Sequence, residues 1–135
     1  MVRHPKSCFA IGALLLFFAA AMSAWRSHGL VELLPPENLL RFDSALQQHT
    51  MAGAGALVVG VLGSHVHSRW ISLAAVCFVL GFALFCGDVY LRAFSSSLTL
   101  HTAPFGGVLL ILGWAAVACG ALLGGWSRHP DSNWG

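Results

Sequence analysis

Four side chains in this chain of 135 residues are of types that could do chemistry together: His28, His49, Asp88 and His101. Three imidazoles and one carboxylate suit zinc or copper, or a small polar ligand that exchanges hydrogen bonds with them. Counting along helices places them at one level. Asp88 lies 18 residues after Trp70, roughly 27 Å at 1.5 Å per residue, and His49 lies 15 residues before Ser64, roughly 22 Å by the same rise. His28 follows one apolar run and His101 precedes another. A plainer role stands beside this one for each residue. Arg92 is four residues beyond Asp88 on the same helix face, and His28 and His101 fall where water reaches. His49 shares a face with Phe42, Leu46 and Gly53 that should turn inward, where a histidine is usually held by hydrogen bonds. His65 and His67 flank a valine in a short connection and read as solvated loop residues.

The elements that must position these groups belong to a membrane. Hydrophobic residues make up 57% of the chain and charged residues 9%, with a mean hydropathy of +0.76. Seven Lys/Arg and five Asp/Glu cannot coat a soluble globule, which excludes a soluble domain and a disordered one. A net charge of +2, scattered along the chain, makes no surface for nucleic acid. Crossing about 30 Å of hydrocarbon takes roughly 20 apolar residues, and four segments qualify, at about 8–25, 44–63, 70–91 and 104–126. Backbone groups in lipid must be satisfied within their own segment, so each run should be a helix. Short connections make neighbours antiparallel, and the expected fold is all-α, a single four-helix transmembrane bundle with up-down connections. The first run also has the outline of a secretory signal peptide, with Arg3, His4 and Lys6 ahead of it, but its apolar stretch continues to Trp25 and is long enough to span.

Between the first two runs, residues 26–43 are expected to form a partly helical interfacial loop, because Pro35-Pro36-Glu37 is a helix-start signal ahead of the second run. Residues 127–135 form a polar tail. Arg3, Lys6, Arg69 and Arg128 lie on one side and Arg26, Arg41 and Arg92 on the other, a four-to-three bias that puts both termini in the cytoplasm. Helix packing is written in small residues. Gly106, Gly113 and Gly120 recur every seven residues, Gly120 pairs with Gly124, and Ala56 with Gly60, at the spacing of close helix contacts within a chain or between chains. Cys8, Cys77, Cys86 and Cys119 each sit in an apolar run without a Cys-x-x-Cys pattern and read as packing residues. A phosphate-binding Gly-rich loop, a serine elbow and a His-Glu-x-x-His helix are all lacking, so no enzyme is expected. The expected activity is that of an accessory or interaction subunit docking through its glycine faces on itself or another membrane protein. The alternative is a metal- or ligand-binding or transport protein built on the His/Asp layer, with zinc or copper as the cofactor.

The order of short motifs adds a resemblance. His28-Gly29-Leu30 follows the first run, Phe85-Cys86-Gly87-Asp88-Val89-Tyr90 closes the third, and Ala103-Pro104-Phe105-Gly106-Gly107 with Gly113-Trp114 marks the fourth. From about Gly12 to Leu123 the chain resembles the domain-of-unknown-function 423 family, the YgdD-like small bacterial membrane proteins. That resemblance implies four spans in a bacterial inner membrane and no established biochemical activity. The chain departs from the family where a Phe-Ser-Gly-Ser-Leu-Tyr type ending becomes Phe85-Cys86-Gly87-Asp88-Val89-Tyr90, placing a carboxylate where the family has a small hydroxyl. A histidine that the family carries early in its second span aligns with Ala52, one turn after His49.

Overall fold

A computed structural model describes residues 5–95 and 97–126 of the chain. Arg3, His4, Arg128 and the polar tail 127–135 lie outside the described residues. Helix α1 runs Pro5–Trp25 and passes into a π-helical turn, Arg26–Leu30, and a short α2, Val31–Leu33. Pro35 and Pro36 end this run, because a proline forces the residue before it out of the helical region, and Leu34 is extended. Helix α3, Pro36–His65, opens with Pro36 and Glu37 in its first turn. The connection 26–43 is therefore helical except at Leu34 and Pro35. Helix α4, Arg69–Phe94, is started by the Ser68 hydroxyl, which accepts the Trp70 N–H at 3.2 Å. Helix α5 spans Ala103–Leu123.

The protein is an all-α membrane protein. The stretches Pro5–Leu33, Arg69–Phe94 and Ala103–Leu123 are each long and apolar enough to cross a bilayer. The expected second span, 44–63, lies inside α3, which is less apolar than the other long helices. Its first half carries Glu37, Asn38, Arg41, Asp43, Gln47, Gln48 and His49. Helix α3 packs between α1 and α4 and meets both with small residues, burying Ala45, Ala52, Gly53, Gly55, Ala56 and Gly60. Helix α5 packs on the other side of α4, and α1 rests chiefly on α3, so the helices follow one another in chain order.

The heptad of glycines in α5 has a matching heptad in α4. Ile71, Phe78 and Phe85 stand opposite Gly120, Gly113 and Gly106 in antiparallel order, and a Cβ on any of the three glycines would crowd or collide with its partner. Bulky knobs thus enter glycine holes at one-heptad intervals. The Phe78 ring also lies against Gly55 of α3, so one aromatic fastens three helices. At the far end, Leu30, Leu39, Phe42 and Ala93 form a second core cluster, capped by the stacked rings of Trp25 and Phe94, 6.0 Å apart. Two short strands, β1 (Val66–His67) and β2 (Gly125–Trp126), pair antiparallel and tie the α3–α4 connection to the chain after α5. All four cysteines are free thiols.

Candidate functional site

Asp88 is fully buried near the end of α4 and its two carboxylate oxygens are used by three elements. Arg92 Nε donates to Oδ1 at 3.1 Å and Arg92 Nη2 donates to Oδ2 at 2.7 Å. From the α4–α5 loop, the Leu100 N–H donates to Oδ1 at 2.9 Å, and the Ala103 N–H at the start of α5 donates to Oδ2 at 3.1 Å. The first turn of a helix has N–H groups without partners inside the helix, so Asp88 supplies from α4 a cap that α5 does not make for itself. Thr102 adds a second tie, its hydroxyl donating to the Leu84 carbonyl at 2.9 Å. His101, between them, takes a left-handed backbone with φ of 55° and points its side chain outward as an exposed residue. Asp88, with each oxygen accepting two hydrogen bonds, is an anchor for a loop and has no open face for a ligand.

His49 is buried in the middle of the bundle, 3% exposed. Its Nδ1 meets the Tyr90 hydroxyl at 3.2 Å, and its ring lies 4.7 Å from that of Phe82. Its Nε2 makes no hydrogen bond; the backbone of Leu15 in α1 is near enough to interact with the ring but not at hydrogen-bonding geometry. One turn toward the α3 start, the Cys86 thiol of α4 donates to the Ala45 carbonyl at 3.4 Å. His28 sits exposed on the π turn.

The structure does not bring His28, His49, Asp88 and His101 together as the expected layer. Among the described residues no three His, Cys, Asp or Glu side chains come together closely enough to hold a metal ion. The four neither meet nor face one way. His49 turns to Tyr90, Asp88 to Arg92 and the loop backbone, and His28 and His101 outward.

A pair that sequence reasoning passed over lies at the same end. Arg26, at the start of the π turn, donates from Nε to Asp43 Oδ1 and from Nη2 to Oδ2, both at 2.7 Å. This two-pronged pair holds the turn onto α3 and keeps the Asp43 carboxyl below its ordinary range, the guanidinium hydrogen bonds outweighing the effect of partial burial. The signal was an arginine just past an apolar run and an aspartate on the polar side of the following helix. The glycine and alanine positions singled out for packing face inward in the same chain: Gly60 against Phe9, Gly124 against Val66 and Ser68, with Ala56 buried.

Comparison with known proteins extends this picture. The family model described as "Protein of unknown function (DUF423)" matches residues 19–107. The chain belongs to the DUF423 family. Its relatives include a UPF0382 membrane protein of Haemophilus influenzae, 30% identical over 81% of this chain and 88% of that protein. Another, from Staphylococcus epidermidis, is 29% identical over 87% of this chain and 96% of its own. A Staphylococcus aureus UPF0382 membrane protein is 30% identical over 81% and 89%. No solved structure matches the chain. In this DUF423 protein the matched stretch contains the Arg26–Asp43 pair, the His49–Tyr90 contact and the whole Asp88 junction up to Gly107.

Proposed function

We propose that this DUF423 protein works without catalysis, as an accessory or interaction subunit of the bacterial inner membrane, with α3 as a fourth crossing helix and both termini in the cytoplasm. One observation carries the reading: the buried side chains Asp88 and His49 and the paired Arg26 are spent on joining helices to each other. Asp88 binds α4 to α5, Arg26 binds the π turn to α3, and His49 binds α3 to α4. A 30-residue α3 is about 45 Å long, more than enough to cross. A helical bundle fits the cytoplasmic membrane, as the outer membrane is populated by barrels.

The glycine faces expected to dock are filled within the chain, so the docking surface moves to α1. Only Gly12 and Ala19 of its 21 residues are buried. Ala13, Ala20 and Ala24 lie exposed along one side of it, the small-residue spacing that lets another membrane helix approach. Native mass spectrometry of the protein released gently from its own membranes tests this. We expect a defined homo-oligomer or a second polypeptide, lost when Ala13→Leu and Ala24→Leu are combined. A monomer in the unaltered protein, or an assembly indifferent to the two leucines, overturns the proposal.

A further inference from the structure

Where α4 and α5 part near the Asp88 junction, an open groove of about 600 Å³ lies on the outer surface of the bundle. Its floor is apolar, made by Phe85 of α4 and Gly107, Val108 and Ile111 of α5, and its mouth carries Arg92 and His101. We propose that this groove holds one anionic glycerophospholipid, its phosphate at Arg92 and His101 and an acyl chain along the floor.

Charge decides the headgroup. No carboxylate lines the groove, because Asp88 is fully buried behind Arg92. Arg92 uses Nε and Nη2 on Asp88 and leaves Nη1 outside that pair, with its side chain 33% exposed. The Asp88 carboxylate also accepts the Leu100 and Ala103 N–H groups, and Ala103 stands at the N-terminal end of α5, where the helix dipole is positive. His101 stands at the same mouth, turned outward by its left-handed backbone. The groove between α1 and α3 is of the opposite character, with the Asp43 carboxylate, Ser23, Gln47 and Thr50 on its wall.

Length decides for a lipid over a free anion. From Ala103 to Ile111 the floor descends eight residues, about 12 Å, and from Arg92 back to Phe85 seven residues, about 10 Å, most of the way into one leaflet of a 30 Å hydrocarbon layer. A guanidinium and an imidazole at the interface end and an apolar channel toward the midplane match the two ends of a phospholipid. Gly107 makes the channel: a Cβ there would sit in ordinary contact with Phe85, 3.6 Å away, so the space above it is unfilled but not forbidden.

The test uses the full chain in a nonionic detergent, titrated in native mass spectrometry with dioleoylphosphatidylglycerol and, separately, dioleoylphosphatidylcholine. With about a fivefold preference expected for one arginine at a membrane surface, the first phosphatidylglycerol should be retained roughly fivefold better than phosphatidylcholine. Gly107→Leu fills the channel and should bring the two lipids level. Arg92 is left intact because it holds Asp88. Should Gly107→Leu lose helicity, Ile111→Trp at an outward position, 69% exposed, takes its place. Equal retention of both lipids in the unaltered protein, a preference that survives the blocked channel, or full displacement of phosphatidylglycerol by millimolar inorganic phosphate each overturns the proposal.

Discussion

The carboxylate of Asp88 in α4 accepts the backbone N–H of Ala103 at 3.1 Å, so the first turn of α5 is capped by a side chain fifteen residues earlier on another helix. The same carboxylate is paired with Arg92 and holds Leu100. A charge near the membrane interface is thereby turned into a joint between two helices and their loop, which is a reason for an acid to be buried at this place.

Replacing Asp88 with Ala strands the Leu100 and Ala103 N–H groups and leaves Arg92 without its partner. The cost should be about 3 kcal/mol, eased because Arg92 can turn toward water. Asp88→Asn keeps an acceptor for part of the set and should cost about half as much. Unfolding of the detergent-solubilised protein by circular dichroism measures both; two variants as stable as the parent would show that the junction holds nothing.

Two neighbouring glycines should respond in opposite ways to the same change. A Cβ on Gly106 would strike the Phe85 backbone, whereas one on Gly107 has room. Gly106→Ala should destabilise by about 1–3 kcal/mol, and Gly107→Ala should be neutral or stabilising by about 0.5–1 kcal/mol as the helix loses a flexible residue. Melting temperatures of the pair decide the matter, and a reversal of their order would refute the antiparallel register of α4 on α5.

The His49–Tyr90 contact should behave as a coupled unit. Tyr90→Phe leaves a buried imidazole with neither nitrogen hydrogen-bonded and should cost about 1–3 kcal/mol. Adding His49→Phe to it removes the stranded group and should recover part of that loss, a non-additivity expected only of residues in contact. Strictly additive losses in the double-mutant cycle would mean that the two side chains do not meet.

Acid should loosen the Arg26–Asp43 clasp. Asp43 is held below its ordinary range in the folded protein, so its contribution is complete above the unfolded carboxylate value near pH 4 and fades as pH falls through the lower folded value. With the aspartate side chain 42% exposed, the contribution is modest, about 0.5–1 kcal/mol. Arg26→Gln should lower stability at pH 7 by that amount and by less at pH 3; an equal loss at both values would contradict the pairing.

Helix extent was legible in the sequence and side-chain direction was not. Apolar run length located the helices to within a few residues at most ends, and Pro35-Pro36-Glu37 marked the start of α3, though its first turns already belong to one long helix. Rise per residue put His49 and Asp88 at a shared level, but which way a side chain turns depends on the rotation of each helix against its neighbours. That rotation is set by contacts such as Phe78 in Gly55 and Gly113, which pair residues far apart in sequence. Arg92 was visible as a partner for Asp88 because it lies on the same helix. Leu100 and Ala103 were not, since they bind through backbone N–H groups that every residue but proline carries. The left-handed turn at His101 had no glycine or asparagine to announce it.

The order of packing bears on how the chain is made. Helix α3 settles on α1, α4 on α3 and α5 on α4, so each arriving segment finds its main neighbour already synthesised and inserted. The pairing of Val66 with Trp126 is different, because it joins the α3–α4 connection to residues that leave the ribosome only after α5. It can close only when the last helix is in place, and its formation would mark the end of assembly for each newly translated molecule.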